Sequence, residues 1–490
     1  MRVCLINPPR IQPKLWGKPS VYQPIDLAYV AAVLEKRHEV QIIDVPNEGW
    51  NQLEDFDGKY RQGLSNEEIV ARIKRFAPSV VVITVPFSGW SSTAFDVVAL
   101  VKAVDRKIIT VLMGLHASAR PVECLKHSDV NFVVIGEPEE TVFELVNVLE
   151  AGRTDMLKEV KGIGFVRDGE TVITAHRPFI QDLDSLPFPA RHLLPMKQFF
   201  EAAKKMPISG NLSKPSIRML TSRGCPYGCI FCSNHIVMGK QWRARSPENV
   251  VAEIEHIIKT YGVRQIDFLD DNIAFDRKRL EAICDLLVEK RLDIEWCTPN
   301  GVRADSLDEE LLGKMRKAGC VSILIAPESG VQRVVDEIIK KKQDLRKVEE
   351  VVIAAKKLGI KVGCFFIIGI IGETKEDIKA TIRYAYKLRD LGADRFYFSY
   401  ATPLYGTELY EQAVRGGYLK PTFSDEALAE VKPLIETSEF TCEDLLRFSA
   451  EANLVNTGFT RSKLARALRD PKRALSMLLE RRKLTRVKKH

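Results

Sequence analysis

The sequence predicts an α/β protein with two consecutive parallel-sheet domains and a helical C-terminal region. Short apolar strand patterns alternate with amphipathic helix patterns over residues 1–150. The alternation resumes at Ser216, runs for about six βα units, and gives way to a mostly helical pattern beyond Tyr410. This alternation is typical of parallel sheets, because parallel strands need crossover connections that cover the sheet.

Residues 1–150 are predicted to form a doubly wound, Rossmann-like domain. Its buried strands include VCLINPP, EVQIIDV, SVVVITVP, ITVLMGL and NFVVIGE. The loops after these strands are rich in Gly, Pro and Ser: NPPRIQP, VPFSGWSST, GLHASARP and GEPEET. In an open parallel sheet, ligands bind at the carboxyl ends of the strands, so these loops form the predicted ligand-binding edge.

The remaining chain divides into three predicted parts. Residues 151–212 contain a hairpin at Asp168-Gly169 and a proline-rich linker, DLDSLPFPARHLLP. Residues 213–410 are predicted to form a partial (β/α)6 barrel, because about six units are too few to close an eight-unit barrel. Residues 411–490 form the predicted helical region with a basic tail.

Composition indicates a globular protein of a reducing compartment. The 490 residues are 45% hydrophobic and 28% charged. No apolar run approaches the roughly 18 residues that a membrane span needs, and the N-terminus enters a strand pattern without a signal peptide. Ten cysteines in a chain of this length are not typical of a disulfide framework. These features predict a cytoplasmic protein.

Basic charge is confined to the C-terminal tail. The chain has a net charge of +8, while residues 461–490 carry twelve Lys or Arg and only two acids. The rest is therefore near neutral, which argues against a nucleic-acid-binding surface. The tail is interpreted either as an interfacial helix in peripheral contact with anionic lipid or as a solvated terminus.

The most informative motif is a cysteine triplet. Cys225, Cys229 and Cys232 stand in TSRGCPYGCIFCS with the spacing C-x-x-x-C-x-x-C. Three thiolates at this spacing can ligate three irons of a four-iron, four-sulfur cluster and leave the fourth iron open. A structural zinc site normally has four ligands, and only His235 lies close by, so the open-iron cluster is favoured over zinc.

The run CPYGCIFC resembles the cluster loop of the radical S-adenosylmethionine superfamily. In that superfamily the open iron binds S-adenosylmethionine, and one electron from the cluster releases a 5′-deoxyadenosyl radical. The resemblance implies a [4Fe-4S] cluster on the three cysteines and an electron donor of the flavodoxin or ferredoxin type. It also implies that Phe231 lies near the adenine, a role compatible with simple packing.

Further motifs resemble a cobalamin-binding subgroup of that superfamily. They are NPP, IDLAYVAAVLE, GLHAS and GEPEE in the first domain, then LPFPARHLLP, FLDDNIAFD, IAPESG, IGIIGET and TPLYGTELY. The subgroup includes cobalamin-dependent radical methylases and anaerobic magnesium-protoporphyrin ester cyclases. The D-x-H-x-x-G motif that ligates cobalt in other cobalamin proteins is absent, and Ile371 stands where many relatives carry Pro.

The resemblance implies an S-adenosylmethionine site at the barrel mouth. Its expected contact residues are Phe231, Asp270, Asp271, Arg303, Glu328, Ser329, Gly369 and Gly372. One aspartate accepts a hydrogen bond from the methionyl amine, or caps a turn. Arg303 either pairs with the methionyl carboxylate or forms a salt bridge with Asp305. Glu328 is expected at the ribose or the amine, and the two glycines allow close backbone approach near the adenine.

The resemblance also implies a cobalamin site on the loops of the first domain. Its expected contact residues are Thr84, Phe87, Ser88, Trp90, Gly114, His116, Gly136 and Glu137. Phe87 or Trp90 either blocks an axial water below the cobalt or packs the loop. His116 is expected to anchor its loop or touch the corrin edge rather than ligate the cobalt.

The predicted function is methylation of an unactivated carbon in a small-molecule or lipid substrate. The implied cofactors are a [4Fe-4S] cluster, S-adenosylmethionine and cobalamin. One alternative is an oxidative cyclase or rearrangement enzyme without methyl transfer. Another is a cobalamin or iron–sulfur sensor without enzymatic activity. The sequence does not identify which side chains are catalytic.

Overall fold

The structure is a computed structural model that describes residues 1–14, 20–56, 58–205, 215–430 and 432–457. The basic tail and its predicted interfacial helix lie outside these residues. Among the helices that are described, none is long and apolar enough to cross a membrane.

A seven-stranded sheet forms the centre of the N-terminal domain. The strands described in this domain, seven of which form this sheet, are β1 (Arg2–Asn7), β2 (Arg10–Pro13), β3 (Glu39–Asp44), β4 (Leu53–Phe56), β5 (Lys59–Gln62), β6 (Val80–Thr84), β7 (Ile109–Met113), β8 (Phe132–Val134), β9 (Ile163–Arg167) and β10 (Glu170–Ile173). The helices are α1 (Ile25–Leu34), α2 (Val45–Glu48), α3 (Asn66–Phe76), α4 (Ser91–Val104), α5 (Leu115–Ala119), α6 (Pro121–Leu125), α7 (Pro138–Glu150) and α8 (Met196–Lys205). The order β10-β9-β8-β7-β6-β1-β3, parallel from β8 to β3, confirms the predicted doubly wound sheet.

The hairpin at Asp168-Gly169 belongs to this sheet and not to a separate linker. Strand β9 pairs antiparallel with β8, and Phe165 packs against Phe132 with ring centroids 5.9 Å apart. Asp168 and Gly169 both have positive φ, as a two-residue hairpin turn requires. The sheet therefore continues to Ile173, beyond the predicted boundary at residue 150.

A small antiparallel sheet, β2-β5-β4, lies beside the first loop. The sequence predicted NPPRIQP as a loop, whereas residues 10–13 form an edge strand. Four-residue strands are too short to show a period-2 signal, which explains the error.

The second domain is a six-stranded parallel partial barrel, as predicted. Its sheet is built from β11 (Ile217–Met219), β14 (Gln265–Phe268), β15 (Glu295–Val302), β16 (Cys320–Glu328), β17 (Lys361–Ile368) and β18 (Arg395–Tyr400), and a separate pair is formed by β12 (Ser222–Arg223) and β13 (Arg243–Ala244). The helices are α9 (His235–Met238), α10 (Pro247–Tyr261), α11 (Arg277–Glu289), α12 (Glu309–Lys317), α13 (Leu345–Lys357) and α14 (Lys375–Leu391). The six sheet strands follow one another in chain order, so their carboxyl ends meet at one mouth.

The C-terminal region packs against both domains. Its helices are α15 (Glu408–Arg415), α16 (Asp425–Leu428) and α17 (Cys442–Asn453). The Asn456 amide donates to the Phe396 carbonyl at 2.8 Å and accepts from its N–H at 3.0 Å. This pairing satisfies backbone groups on the edge strand β18, which would otherwise be open to pairing with another chain.

Candidate active site

The three clustered cysteines lie on one loop at the mouth of the barrel. All three are half-buried free thiols. Burial raises the pKa of each thiol, to about 12 for Cys232. Within the described ranges no three His, Cys, Asp or Glu side chains are arranged to hold a single metal ion. A four-iron cluster instead spreads its thiolates over separate irons, so the donor set fits it.

The base of the cysteine loop is closed by the short antiparallel pair β12–β13. Two backbone hydrogen bonds fix its far side: Ile230 N–H donates to Ile339 at 3.2 Å, and Leu409 N–H donates to Ile230 at 2.9 Å. Pro226 and Gly228, between the first two cysteines, are exposed. The loop is therefore anchored on both sides while its tip remains accessible from solvent.

A buried ion-pair network joins the base of the cysteine loop to the N-terminal domain. Glu137, in the loop after β8, accepts from Arg223 Nη1 at 3.0 Å and from Arg243 Nη1 at 2.9 Å. Its second oxygen accepts from the Ile180 N–H at 2.8 Å. Glu139 pairs with Arg223 Nη2 at 2.6 Å. All four charged side chains are almost fully buried, so this network fixes one domain against the other.

Glu137 was predicted as a cobalamin contact. Because both of its oxygens already accept hydrogen bonds from this network, it has no free acceptor for a ligand. In the structure Glu137 positions the base of the cysteine loop, and its contact with cobalamin stays a prediction.

The two predicted aspartates after β14 have different environments. Asp270 accepts from the Thr221 hydroxyl at 2.6 Å and from the Ser222 hydroxyl at 2.5 Å, which fixes the chain leading into the cysteine loop. Asp271 forms no hydrogen bond with any residue that the structure describes. Burial and the neighbouring Asp270 charge raise its pKa to about 6. Asp271 raises the pKa of Cys225, so it faces the cysteine loop with an available carboxylate.

Arg303 forms the predicted salt bridge with Asp305. Its Nη2 lies 2.6 Å and its Nε 3.0 Å from the two carboxylate oxygens. The guanidinium also donates to the Lys341 carbonyl at 3.0 Å and lies 3.6 Å from the centre of the Tyr227 ring. Arg303 therefore ties the cysteine loop, through Tyr227, to the end of β15.

Lys341 is a site residue that the sequence analysis missed. Its ammonium donates to Glu328 at 2.7 Å and to the Ala326 carbonyl at 2.5 Å, and both ionic groups are buried. The Lys341 charge lowers the pKa of Cys229 and the Glu328 charge raises it, so the pair faces the cysteines. Glu328 has φ 66, a strained conformation that is common at functional sites. Nothing in the run of three lysines distinguished the middle one.

The ion pair predicts opposite shifts in cluster reduction potential. Positive charge near a cluster stabilises its reduced, more negative form. Lys341→Met is therefore expected to make the midpoint potential more negative, and Glu328→Gln to make it more positive. The double variant is expected to lie between the two. Potentiometric titration followed by EPR measures these shifts, with the exposed Lys340→Met as the control. A shift of both single variants in the same direction would contradict the assignment.

The remaining predicted residues of the barrel mouth contact other parts of the protein. Ser329 is buried, and its hydroxyl lies 2.9 Å from that of Thr381. Phe231 is half-buried against the core. Gly369 and Gly372 have positive φ, but a Cβ on Gly369 would lie 2.5 Å from Leu445 in α17. The close approach at Gly369 is therefore to the C-terminal helix, and contact of these four residues with S-adenosylmethionine stays a prediction.

Glu373 caps the loop after β17. Its carboxylate accepts from the Gly369 N–H at 2.9 Å and the Ile370 N–H at 3.0 Å, while its other oxygen is buried without a partner among the described residues. Burial raises its pKa from 4.5 to about 8. The folded protein therefore holds a proton on Glu373 that the unfolded chain releases near pH 4.5.

This raised pKa predicts that stability falls as pH rises. The proton on Glu373 favours the folded state fully below about pH 4.5, and this contribution is lost as pH rises to about 8. The slope approaches about 1.4 kcal/mol per pH unit between those values. In urea unfolding at several pH values, Glu373→Gln is expected to flatten this slope, whereas the exposed Glu376→Gln keeps it. An unchanged slope in Glu373→Gln would show that the carboxyl is ionised in the fold.

The predicted cobalamin residues converge at the carboxyl edge of the N-terminal sheet. Thr84 donates to Asp26 at 2.7 Å. Gly114 has φ 103, and a Cβ there would lie 2.9 Å from the Val85 carbonyl, so two loops meet at this glycine. Gly136 N–H donates to the Ser118 hydroxyl at 3.0 Å. The hydrogen bonds of these residues fix the loops at this edge.

His116 and the turn at residues 88–90 lie beneath the C-terminal helix α16. His116 Nε2 lies 3.8 Å from Asp425, and its buried Nδ1 has no partner in the described part of the chain. Ser91 donates to the same carboxylate at 3.1 Å. Phe87 and Trp90 pack edge to face with centroids 5.6 Å apart. An unsatisfied buried nitrogen at this edge fits a polar ligand such as cobalamin.

Comparison with known proteins identifies both domains. Residues 219–385 match the Radical SAM superfamily, and residues 19–146 match the B12 binding domain. An uncharacterized methyltransferase of Pyrococcus horikoshii is 31% identical over 92% of this chain and 91% of its own. The cytidylyl-2-hydroxyethylphosphonate methyltransferase of Streptomyces wedmorensis is 33% identical over 82% of this chain and 80% of its own.

A solved structure shares the fold. The radical S-adenosylmethionine methyltransferase TsrM of Kitasatospora setae, with cobalamin and a [4Fe-4S] cluster bound, has a TM-score of 0.69 and 16% identity, covering 94% of this chain and 89% of its own. The chain thus belongs to the cobalamin-dependent radical S-adenosylmethionine methyltransferases. Its cofactors are a [4Fe-4S] cluster, S-adenosylmethionine and cobalamin, and the predicted sensor without enzymatic activity is excluded.

Proposed function

We propose that the protein transfers a methyl group to an unactivated carbon of a small molecule held between the two domains. The observation that carries this proposal is the buried network of Glu137, Glu139, Arg223 and Arg243. It fixes the base of the cysteine loop against the loop after β8, so a substrate at this junction reaches both cofactor sites. When bound, the cofactors supply the radical and the methyl group.

The protein's own residues bind and orient the cofactors and the substrate, and they exclude water from the site. The three cysteines would hold the cluster, and Asp271 would accept a hydrogen bond from the methionyl amine of S-adenosylmethionine. Thr84, Gly114 and His116 line the cobalamin site, which α16 covers from the C-terminal side. Such enclosure protects a radical from water and oxygen.

Methyl transfer is favoured over cyclisation, and a small molecule over a lipid. The Streptomyces relative is named for a cytidylylated phosphonate, which is a small molecule. A lipid substrate would be favoured by a membrane contact of the basic tail, and this tail lies outside the described residues. We also propose that a flavodoxin or ferredoxin delivers electrons at the exposed tip of the cysteine loop, in the cytoplasm.

The test is a search for the methylated product. Anaerobically reconstituted protein with hydroxocobalamin, reductant and S-adenosylmethionine bearing a trideuteriomethyl group is incubated with a metabolite extract of the host. Mass spectrometry is expected to find a metabolite that gains the labelled methyl group with the wild type and not with Cys229→Ala. Cleavage of S-adenosylmethionine together with an unlabelled, dehydrogenated product would instead support the cyclase alternative.

A further inference from the structure

Arg218 places a guanidinium group at the junction of the two domains. It lies on β11 between the buried core residues Ile217 and Met219, so its side chain points to the opposite face, inside the barrel. Its guanidinium makes no hydrogen bond with any residue in the described ranges. Burial lowers its pKa, which reflects the cost of holding an unpaired cation there.

Arg10 contacts the same aromatic ring, that of Tyr22, as Arg218. The Arg10 Cζ is 3.9 Å and the Arg218 Cζ 4.6 Å from the centre of the Tyr22 ring. Arg10 is only 6% exposed, and its Nη1 donates to the Ser20 carbonyl at 2.5 Å. Arg10 also lies 4.9 Å from the Trp90 ring. Cation–π contacts of this kind recover only a small part of the solvation that a buried guanidinium loses.

The nearby carboxylates are already used by other groups. Asp267, in register with Arg218, accepts from the Ser216 hydroxyl at 2.7 Å and the Cys297 thiol at 3.0 Å. Asp44 accepts from the amides of Asn7 and Asn47, and burial raises its pKa to about 7. Neither carboxylate forms a hydrogen bond with the two guanidinium groups.

Arg10 and Arg218 lie at the contact between the two domains. Arg10 begins β2, directly after the loop at the carboxyl end of β1, and Trp90 lies in the turn after β6. Arg218 lies on β11, which precedes the cysteine loop. Gln23 joins the two domains here: its amide donates to the Ser216 carbonyl at 3.2 Å and accepts from the Arg218 N–H at 3.0 Å. A group bound by both arginines therefore lies between the two domains.

We propose that Arg10 and Arg218 bind a phosphate or phosphonate group of the substrate. Guanidinium groups present paired N–H donors that match such oxyanions, and two of them would balance a dianion. This inference rests on the proposed function, because it names the substrate class of the same site. The phosphodiester of cobalamin has the same chemistry and is the other source that the experiment must separate.

The experiment measures binding of methylphosphonate to the full-length, reconstituted protein by phosphorus NMR. The wild type is expected to bind it saturably, and Arg10→Met and Arg218→Met to weaken binding at least about tenfold. Arg218→Lys, which keeps the charge, is expected to bind with intermediate affinity and covers the case in which the methionine variant does not fold. The exposed Arg346→Met serves as the control and should bind like the wild type. No binding by the wild type, or equal binding by all variants, would overturn the proposal.

A second arm tests the cofactor as the source of the oxyanion. Each variant is loaded with cobalamin or with cobinamide, which lacks the phosphodiester. If the oxyanion belongs to the substrate, Arg218→Lys is expected to retain cobalamin and cobinamide in the same ratio as the wild type. Selective loss of cobalamin would overturn the substrate assignment. The binding measurement needs no turnover. A failure to methylate would therefore overturn the proposed function and would leave the binding of the oxyanion by Arg10 and Arg218 to be decided by the NMR measurement.

Discussion

Replacement of Cys229 by alanine is expected to abolish cleavage of S-adenosylmethionine. The remaining Cys225 and Cys232 can ligate only two irons, and no further Cys, His, Asp or Glu in the described chain completes a metal-binding group with them. Anaerobic reconstitution should then give little iron and sulfide, no EPR signal of a reduced cluster, and no 5′-deoxyadenosine. Loss of activity is expected to be complete rather than partial, because the radical has no other source in this site.

The matched control for this variant is Cys284→Ala. Cys284 is 1% exposed in α11 and packs in the hydrophobic core. Its removal costs some stability but leaves the cysteine loop intact, so iron content and cleavage should match the wild type. Persistent cleavage in Cys229→Ala, or equal loss in Cys284→Ala, would show that the triplet does not hold the cluster.

Replacement of Glu137 by glutamine is expected to destabilise the protein by about 3–5 kcal/mol. The amide preserves the shape of the side chain but leaves Arg223 and Arg243 short of a counter-ion in a site from which water is excluded. Urea unfolding of the anaerobic protein measures the loss of free energy. The variant is also expected to retain less cobalamin, because the contact between the domains is weakened.

The control is Glu309→Gln, which breaks an exposed ion pair with Lys357. Solvent screens such a pair, so its loss should cost less than about 1 kcal/mol. Equal, small losses in the two variants would mean that the network between the domains contributes little to holding them together.

Much of the architecture could be predicted because it depends on local patterns. The alternation of strands and helices gives both sheets, Ser246-Pro247 marks the start of α10, and Asp168-Gly169 marks a hairpin turn. The cysteine triplet is equally local, since all three residues lie within one loop. Such features are determined by neighbouring residues, so they can be predicted without knowledge of tertiary contacts.

The roles of single charged residues could not be predicted in this way. Glu137 meets Arg223 across 86 residues of sequence, and Arg10 meets Arg218 only through the Tyr22 ring. Lys341 is buried whereas its two lysine neighbours are exposed, a difference that tertiary packing decides. Charged side chains are usually solvated, so a buried pair of charged residues can be identified only from the structure that brings its members together.

In the proposed reaction, one enclosed site uses a radical and a methyl donor together. The most direct test is the ratio of S-adenosylhomocysteine to 5′-deoxyadenosine formed per methylated product by the reconstituted, cobalamin-loaded protein. A methyltransferase is expected to form one of each per product, with both absent in Cys229→Ala and product absent when cobalamin is omitted. Formation of 5′-deoxyadenosine with substrate turnover and without S-adenosylhomocysteine would show that the protein does not transfer a methyl group.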